Sequence, residues 1–87
     1  MKIVYHVTFE KHFKTRISPY PKLVSKFKDR LNTRINNPTD PVLKDHRLAG
    51  KRSEYRSFSV TGDVRVIYQV KGETLWLYDI GTHNQVY

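Results

Sequence analysis

The sequence predicts an α+β domain: two N-terminal helices packed on one face of a four-stranded, mainly antiparallel sheet, in the order β-α-α-β-β-β. Three observations predict it. Apolar residues recur every four positions between Phe9 and Ile35, the last third holds three β-rich segments parted by glycine turns, and the chain opens on a β-branched and aromatic run.

The opening run, Lys2 to Thr8, contains Ile3, Val4, Tyr5 and Val7 and reads as a strand buried on at least one side. Thr8 is placed to cap a helix, Glu10 suits the positive end of that helix, and Phe9, Phe13 and Ile17 repeat until Pro19 and Pro21 interrupt. Pro21 can open a second, longer helix, whose stripe is Leu23, Phe27, Leu31 and Ile35 and whose stop is Asn36-Asn37-Pro38. Between Pro38 and about Ser53 no period persists, so an ordered loop is expected there. Tyr55 to Val60, Val64 to Val70 and Thr74 to Ile80 then form an antiparallel meander with Thr61-Gly62 and Lys71-Gly72 as its turns.

Two-residue turns would pair Phe58 with Arg65, Arg56 with Ile67, Ile67 with Trp76 and Arg65 with Tyr78. One face then presents Val64, Val66, Tyr68, Leu75 and Leu77 to the helices. The other carries Arg56, Phe58, Asp63, Arg65, Trp76 and Tyr78, a basic and aromatic surface suited to single-stranded RNA.

The length of 87 residues suits one domain, spanning 1–87. A net charge of +8 draws polyanions and puts nucleic acid first among partners. Lys22, Lys26, Arg30 and Arg34 follow one another at i+4 along the second helix. Like charges at that spacing cost roughly 0.2–0.5 kcal/mol per pair, so the stripe is expected to meet an anionic surface. The absence of cysteine excludes disulfides, thiolate nucleophiles and Cys-based zinc sites. With neither a membrane span nor a signal peptide recognisable, a cytoplasmic protein is expected.

No Walker A loop, GxSxG elbow or dinucleotide fingerprint is present, and His6, His12, His46 and His83 have no metal-ligand spacing, so no metal and no cofactor are expected. His6 and His12 read as structural or surface residues. His46 lies among Lys44, Arg47, Lys51 and Arg52, and His83 lies near the terminal aromatic Tyr87. Two imidazoles titrating near neutrality meet the needs of metal-free RNA cleavage, one removing the 2'-hydroxyl proton and one protonating the 5'-oxygen. Being close to the chain end, His83 and Tyr87 are expected to contribute little to the core.

His46-Arg47-Leu48-Ala49-Gly50, Tyr55-Arg56, Gly62-Asp63-Val64-Arg65-Val66-Ile67-Tyr68, Ile80-Gly81-Thr82-His83 and Tyr87 together resemble the RelE/ParE toxin superfamily, and most of all its YafQ-like branch. The resemblance is specific from Val42 to Tyr87 and architectural over the helices. It implies the toxin of a type II toxin–antitoxin system, a ribosome-dependent endoribonuclease that cuts mRNA and is held inactive by a cognate antitoxin. On this resemblance His46 matches the histidine of an H-x-L-x-G loop, Asp63 the aspartate opening the next strand, and His83 the histidine of a terminal G-[ST]-H. Arg65 matches the arginine placed on the scissile phosphate, and Tyr87 the final aromatic. Lys44, Arg47, Lys51, Arg52 and Arg56 would hold RNA, and the helix stripe would meet the ribosome. Ser59 and Val64 depart from the branch, which has histidine and tryptophan there, so two branches' catalytic sets are mixed. Strict alternation would turn His83 away from Arg65, and a bulge at Gly81 would turn it back. The rival readings are a ParE-like toxin that binds DNA gyrase without RNA chemistry, and an inactive RNA-binding homologue.

Overall fold

The computed structural model describes residues 1–87. The chain forms β1 (Lys2–Tyr5), α1 (Val7–Arg16), α2 (Pro21–Asn36), β2 (His46–Arg47), β3 (Arg56–Ser59), β4 (Val64–Lys71), β5 (Thr74–Thr82) and α3 (His83–Val86), with single 3-10 turns at Pro41–Leu43 and Gly50–Arg52. The sheet runs β1-β5-β4-β3-β2, with β1 parallel to β5 and the remaining pairs antiparallel. It thus has five strands where four are expected, the addition being β2, whose two residues are too few to show a period. No helix is long and apolar enough to cross a membrane.

The first strand ends earlier than expected because His6, not Thr8, caps α1: its backbone is extended and its Nδ1 accepts the Thr8 amide at 3.1 Å. Pro21 opens α2 as expected, its missing amide being one the first turn leaves unpaired in any case. Phe9 and Phe27 from the helices, with Ile17 at the end of α1, meet Val64, Val66, Tyr68, Leu75 and Leu77 in one core. Burying each such side chain is worth about 1.5–3 kcal/mol.

Turn length corrects the register of the first hairpin. The amides of Val60 and Thr61 both bond to the Val64 carbonyl, and Thr61 Oγ1 accepts from the amides of Asp63 and Val64, so the loop is one residue longer than a two-residue turn. Phe58 therefore pairs with Val66, Ser59 with Arg65 and Arg56 with Tyr68. A slip of one exchanges the faces of a strand, which sends Phe58 into the core and Arg56 to the helix side. The second hairpin turns at Gly72-Glu73, with Lys71 opposite Thr74 and Gly72 at φ 60°. That shift of two residues keeps the faces.

A bulge is present, but at Tyr78 and not at Gly81. Tyr68 pairs with Leu77 while Ile67 pairs with Asp79, leaving Tyr78 as the extra residue. Beyond it Ile80 joins the core and Gly81 sits opposite Arg65. Gly81 is closely approached: a Cβ there would lie 2.6 Å from Gln85 Oε1 and 2.7 Å from Arg16 Nη1, both ends of flexible side chains, and 3.0 Å from Gln85 Cβ.

Candidate active site

Beyond the bulge, the open face of the sheet supports a small second core of Leu48, Ile67 and Val86. Around it four of the five predicted catalytic residues come together. Arg65 donates through Nε to Ser57 Oγ at 2.7 Å and through Nη2 to the Lys44 carbonyl at 3.0 Å, and Nη2 lies 3.5 Å from His46 Nδ1. The Tyr87 hydroxyl donates to the same Ser57 Oγ at 2.5 Å. Its ring stands edge-on to His83 at 4.5 Å and 6.4 Å from the His46 ring. His46, Arg65, His83 and Tyr87 thus form one group, with Ser57 as its buried hinge.

His46 Nδ1 is 3.0 Å from the Lys44 carbonyl. A carbonyl only accepts, so Nδ1 carries the hydrogen and neutral His46 keeps its lone pair on Nε2. Lys44 has φ 45° and is the chain's one non-glycine residue with positive φ. Such backbone strain persists where the surroundings impose it, and here Arg65 and Asp45 hold the two sides of the segment. The Asp45 carboxylate receives Arg56 Nε at 2.8 Å, lies 3.4 Å from Arg34 Nε and accepts the Tyr68 hydroxyl. Burial, and then this carboxylate, hold the Tyr68 phenol above its usual range. Burial works against the Arg56 charge, but bonding to Asp45 and Tyr68 outweighs it, so the guanidinium stays more firmly protonated than usual.

Several of the cations expected to meet RNA or the ribosome have partners within the fold. Arg56 and Arg34 are committed to Asp45 on the helix side, and Arg30 Nη1 bonds the Val42 carbonyl at 3.2 Å. Arg52 Nη1 bonds the Val86 carbonyl at 2.8 Å, clamping α3 to the second core. Asp63 lies exposed in the β3–β4 turn, with no side-chain hydrogen bond or ion pair to Arg65 or either histidine. Lys22, Lys26, Lys44, Arg47 and Lys51 remain exposed. Lys26 and Lys44 share with Ser59 and Thr61 a cleft of about 320 Å³ beside the group. Ser59 is buried and donates to the Thr61 carbonyl, a turn-holding role. Sequence reasoning missed Ser57, since finding it needs the true length of the first hairpin turn.

The chain end is also better anchored than expected. Val86 is 4% exposed, and a capping box of Thr82 and Gln85 starts α3. Deleting Val86 and Tyr87 should therefore lower unfolding stability by about 2 kcal/mol as well as removing the ring between the histidines. Urea unfolding of the truncated chain checks this.

A helix-backed mixed sheet with this cluster at one end defines a RelE-like toxin. Its model, described as a bacterial toxin of type II toxin–antitoxin systems, YafQ, matches residues 1–87, and the chain belongs to that family. YafQ from Escherichia coli strain BL21(DE3) is 28% identical, with a TM-score of 0.84 over 99% of this chain and 97% of that one. In the E. coli DinJ–YafQ complex the toxin is 28% identical, with a TM-score of 0.82 over 99% and 97%. A copper-bound mutant toxin from Helicobacter pylori is 29% identical, with a TM-score of 0.79 over 100% and 99%. A YoeB/ParE toxin from Agrobacterium tumefaciens, 22% identical with a TM-score of 0.82 over 95% and 99%, speaks to the fold alone. No curated protein matches by sequence. The protein is the toxin of a type II toxin–antitoxin system.

Proposed function

We propose that this toxin is a metal-independent, ribosome-dependent endoribonuclease acting on mRNA, silenced when its antitoxin covers the cluster. The observation that carries the reading is the convergence of Arg65, His46 and His83 on one open surface, joined through Ser57 and Tyr87. His46 Nε2 would take the proton from a 2'-hydroxyl as its oxygen attacks the adjacent phosphorus. Arg65 would balance the charge growing on the phosphorane. As the bond from phosphorus to the 5'-oxygen breaks, His83 would give that oxygen a proton, leaving a 2',3'-cyclic phosphate. Tyr87, 40% exposed, would stack on a base. Lys44, Arg47 and Lys51 would hold the RNA backbone, and Lys22 and Lys26 would meet the ribosome. A gyrase-binding poison has no need of this set, and Asp63 in its exposed turn is left to orient RNA.

Induced expression with mapping of mRNA 5' ends on translating ribosomes tests the reading. Cuts within codons that need the ribosome are expected. His83→Gln should lose about 100-fold or more in cleavage with an unchanged melting temperature, because the exposed imidazole supports no core contact. Growth arrest without any new 5' ends would overturn the nuclease reading.

A further inference from the structure

The open face carries a second group that the cleavage site does not use. Trp76 and Tyr78, half-buried on β5, set their rings 6.4 Å apart at 23°. Lys71 Nζ lies 5.0 Å from the centre of the Trp76 ring and 6.0 Å from that of Tyr78. Lys71 donates to the Tyr78 hydroxyl at 3.3 Å, and that hydroxyl donates to Gln69 Oε1 at 3.2 Å. Tyr55 meets Tyr78 edge-on at 4.9 Å, and both rings line a hollow of about 230 Å³ shared with Arg52 and His6.

These rings are fixed by their neighbours and accompanied by an ammonium. Every base offers a π-face, and stacking on fixed rings binds single strands with little regard to sequence while a cation meets the phosphates between them. Acidic side chains do not oppose this. Asp79, at the rim of the hollow, is bonded by His12 at 2.6 Å with Arg16 at 3.6 Å, and Glu54 and Glu73 lie in the exposed turns at either end. From Arg65 to Gln69 along β4 is about 13 Å at the rise of a strand, so one RNA can span both places.

We propose that Tyr55, Tyr78 and Trp76, with Lys71, form a stacking track for single-stranded RNA beside the cleavage site. The track rests on the nuclease reading only for the identity of that RNA as message. Trp76 is the only tryptophan of the chain, so its emission reports the track directly.

The test titrates the full-length toxin with a ten-nucleotide, mixed-sequence 2'-O-methyl RNA, which cannot be cut. Saturable quenching of Trp76 is expected. Tyr78→Leu should weaken binding about tenfold with its circular dichroism unchanged, and Lys71→Gln should reduce the salt slope by about one. Binding without quenching, or a Tyr78→Leu affinity equal to the parent's, would overturn the track. Quenching by an acidic peptide but not by RNA would overturn it too and assign the face to a protein partner. Quenching without ribosome-dependent cleavage would remove the nuclease reading and leave the track standing, whereas cleavage without quenching would do the reverse.

Discussion

Arg65→Ala is expected to abolish toxicity while the domain stays folded. The side chain is half-buried on the open face, outside both apolar clusters, so its removal opens no core cavity. Ser57 keeps the Tyr87 hydroxyl as a partner, and the Lys44 carbonyl keeps His46 Nδ1. Two hydrogen bonds are lost, at about 1 kcal/mol each or less. By contrast, one donor fewer on a developing oxyanion costs about 3 kcal/mol of barrier, or 10²–10³ in rate. Single-turnover cleavage on programmed ribosomes, run beside thermal unfolding, separates the two effects. Toxicity equal to the parent's at equal expression would remove Arg65 from the phosphate site.

Asp45→Ala should produce the largest loss of stability of any polar substitution. Its carboxylate is 12% exposed and lies between Arg34, 11% exposed, and Arg56, 39% exposed. Removing it strands the Arg34 charge in a dry setting, a situation that costs about 3 kcal/mol even with the contribution of the wetter Arg56 discounted. For a domain of this size the melting temperature should fall by roughly 12–24 °C. Tyr68→Phe, which removes the hydroxyl's bond to the same carboxylate and the one it accepts from Arg34 Nε at 3.0 Å, should cost less, about 2 kcal/mol. Similar melting curves for the two variants would show that the hub contributes little. Activity should fall together with stability in Asp45→Ala, because Asp45 stands between Lys44, whose carbonyl steadies Arg65, and His46.

Much of this was readable from residues alone. Phe9 of α1, Ile17 just past its end, and Leu23, Phe27 and Leu31 of α2 reach the core because a four-residue repeat survives any error in the ends of a helix. The motifs singled out His46, Arg65, His83 and Tyr87, which the fold brings into one group. The roles of Arg34, Arg52 and Arg56 could not, since a cation reads as solvated until its partner is known, and these partners lie 11 residues away or more. The faces of β3 were misread because they hang on a single residue of turn length. The two-residue β2 and four-residue α3 are too short to show a period at all.

The extra residue at Tyr78 makes one strand serve two surfaces. Before it, even-numbered positions of β5 look outward and display Trp76; after it, odd-numbered positions do, and Gly81 comes to face Arg65. Were all residues kept and the bulge lost, unbroken alternation would drive Asp79 into the apolar interior in place of Ile80, whereas deleting Tyr78 itself would leave Asp79 outward and Ile80 inward. A spare residue in mid-strand thus gives β5 a tolerance of shortening that β4 lacks: losing Ile67 from β4 would turn Arg65 towards the apolar interior. Deletion of Tyr78 is therefore expected to leave the domain folded with the loss of that one ring, and deletion of Ile67 to unfold it, a contrast that thermal unfolding of the two variants would display.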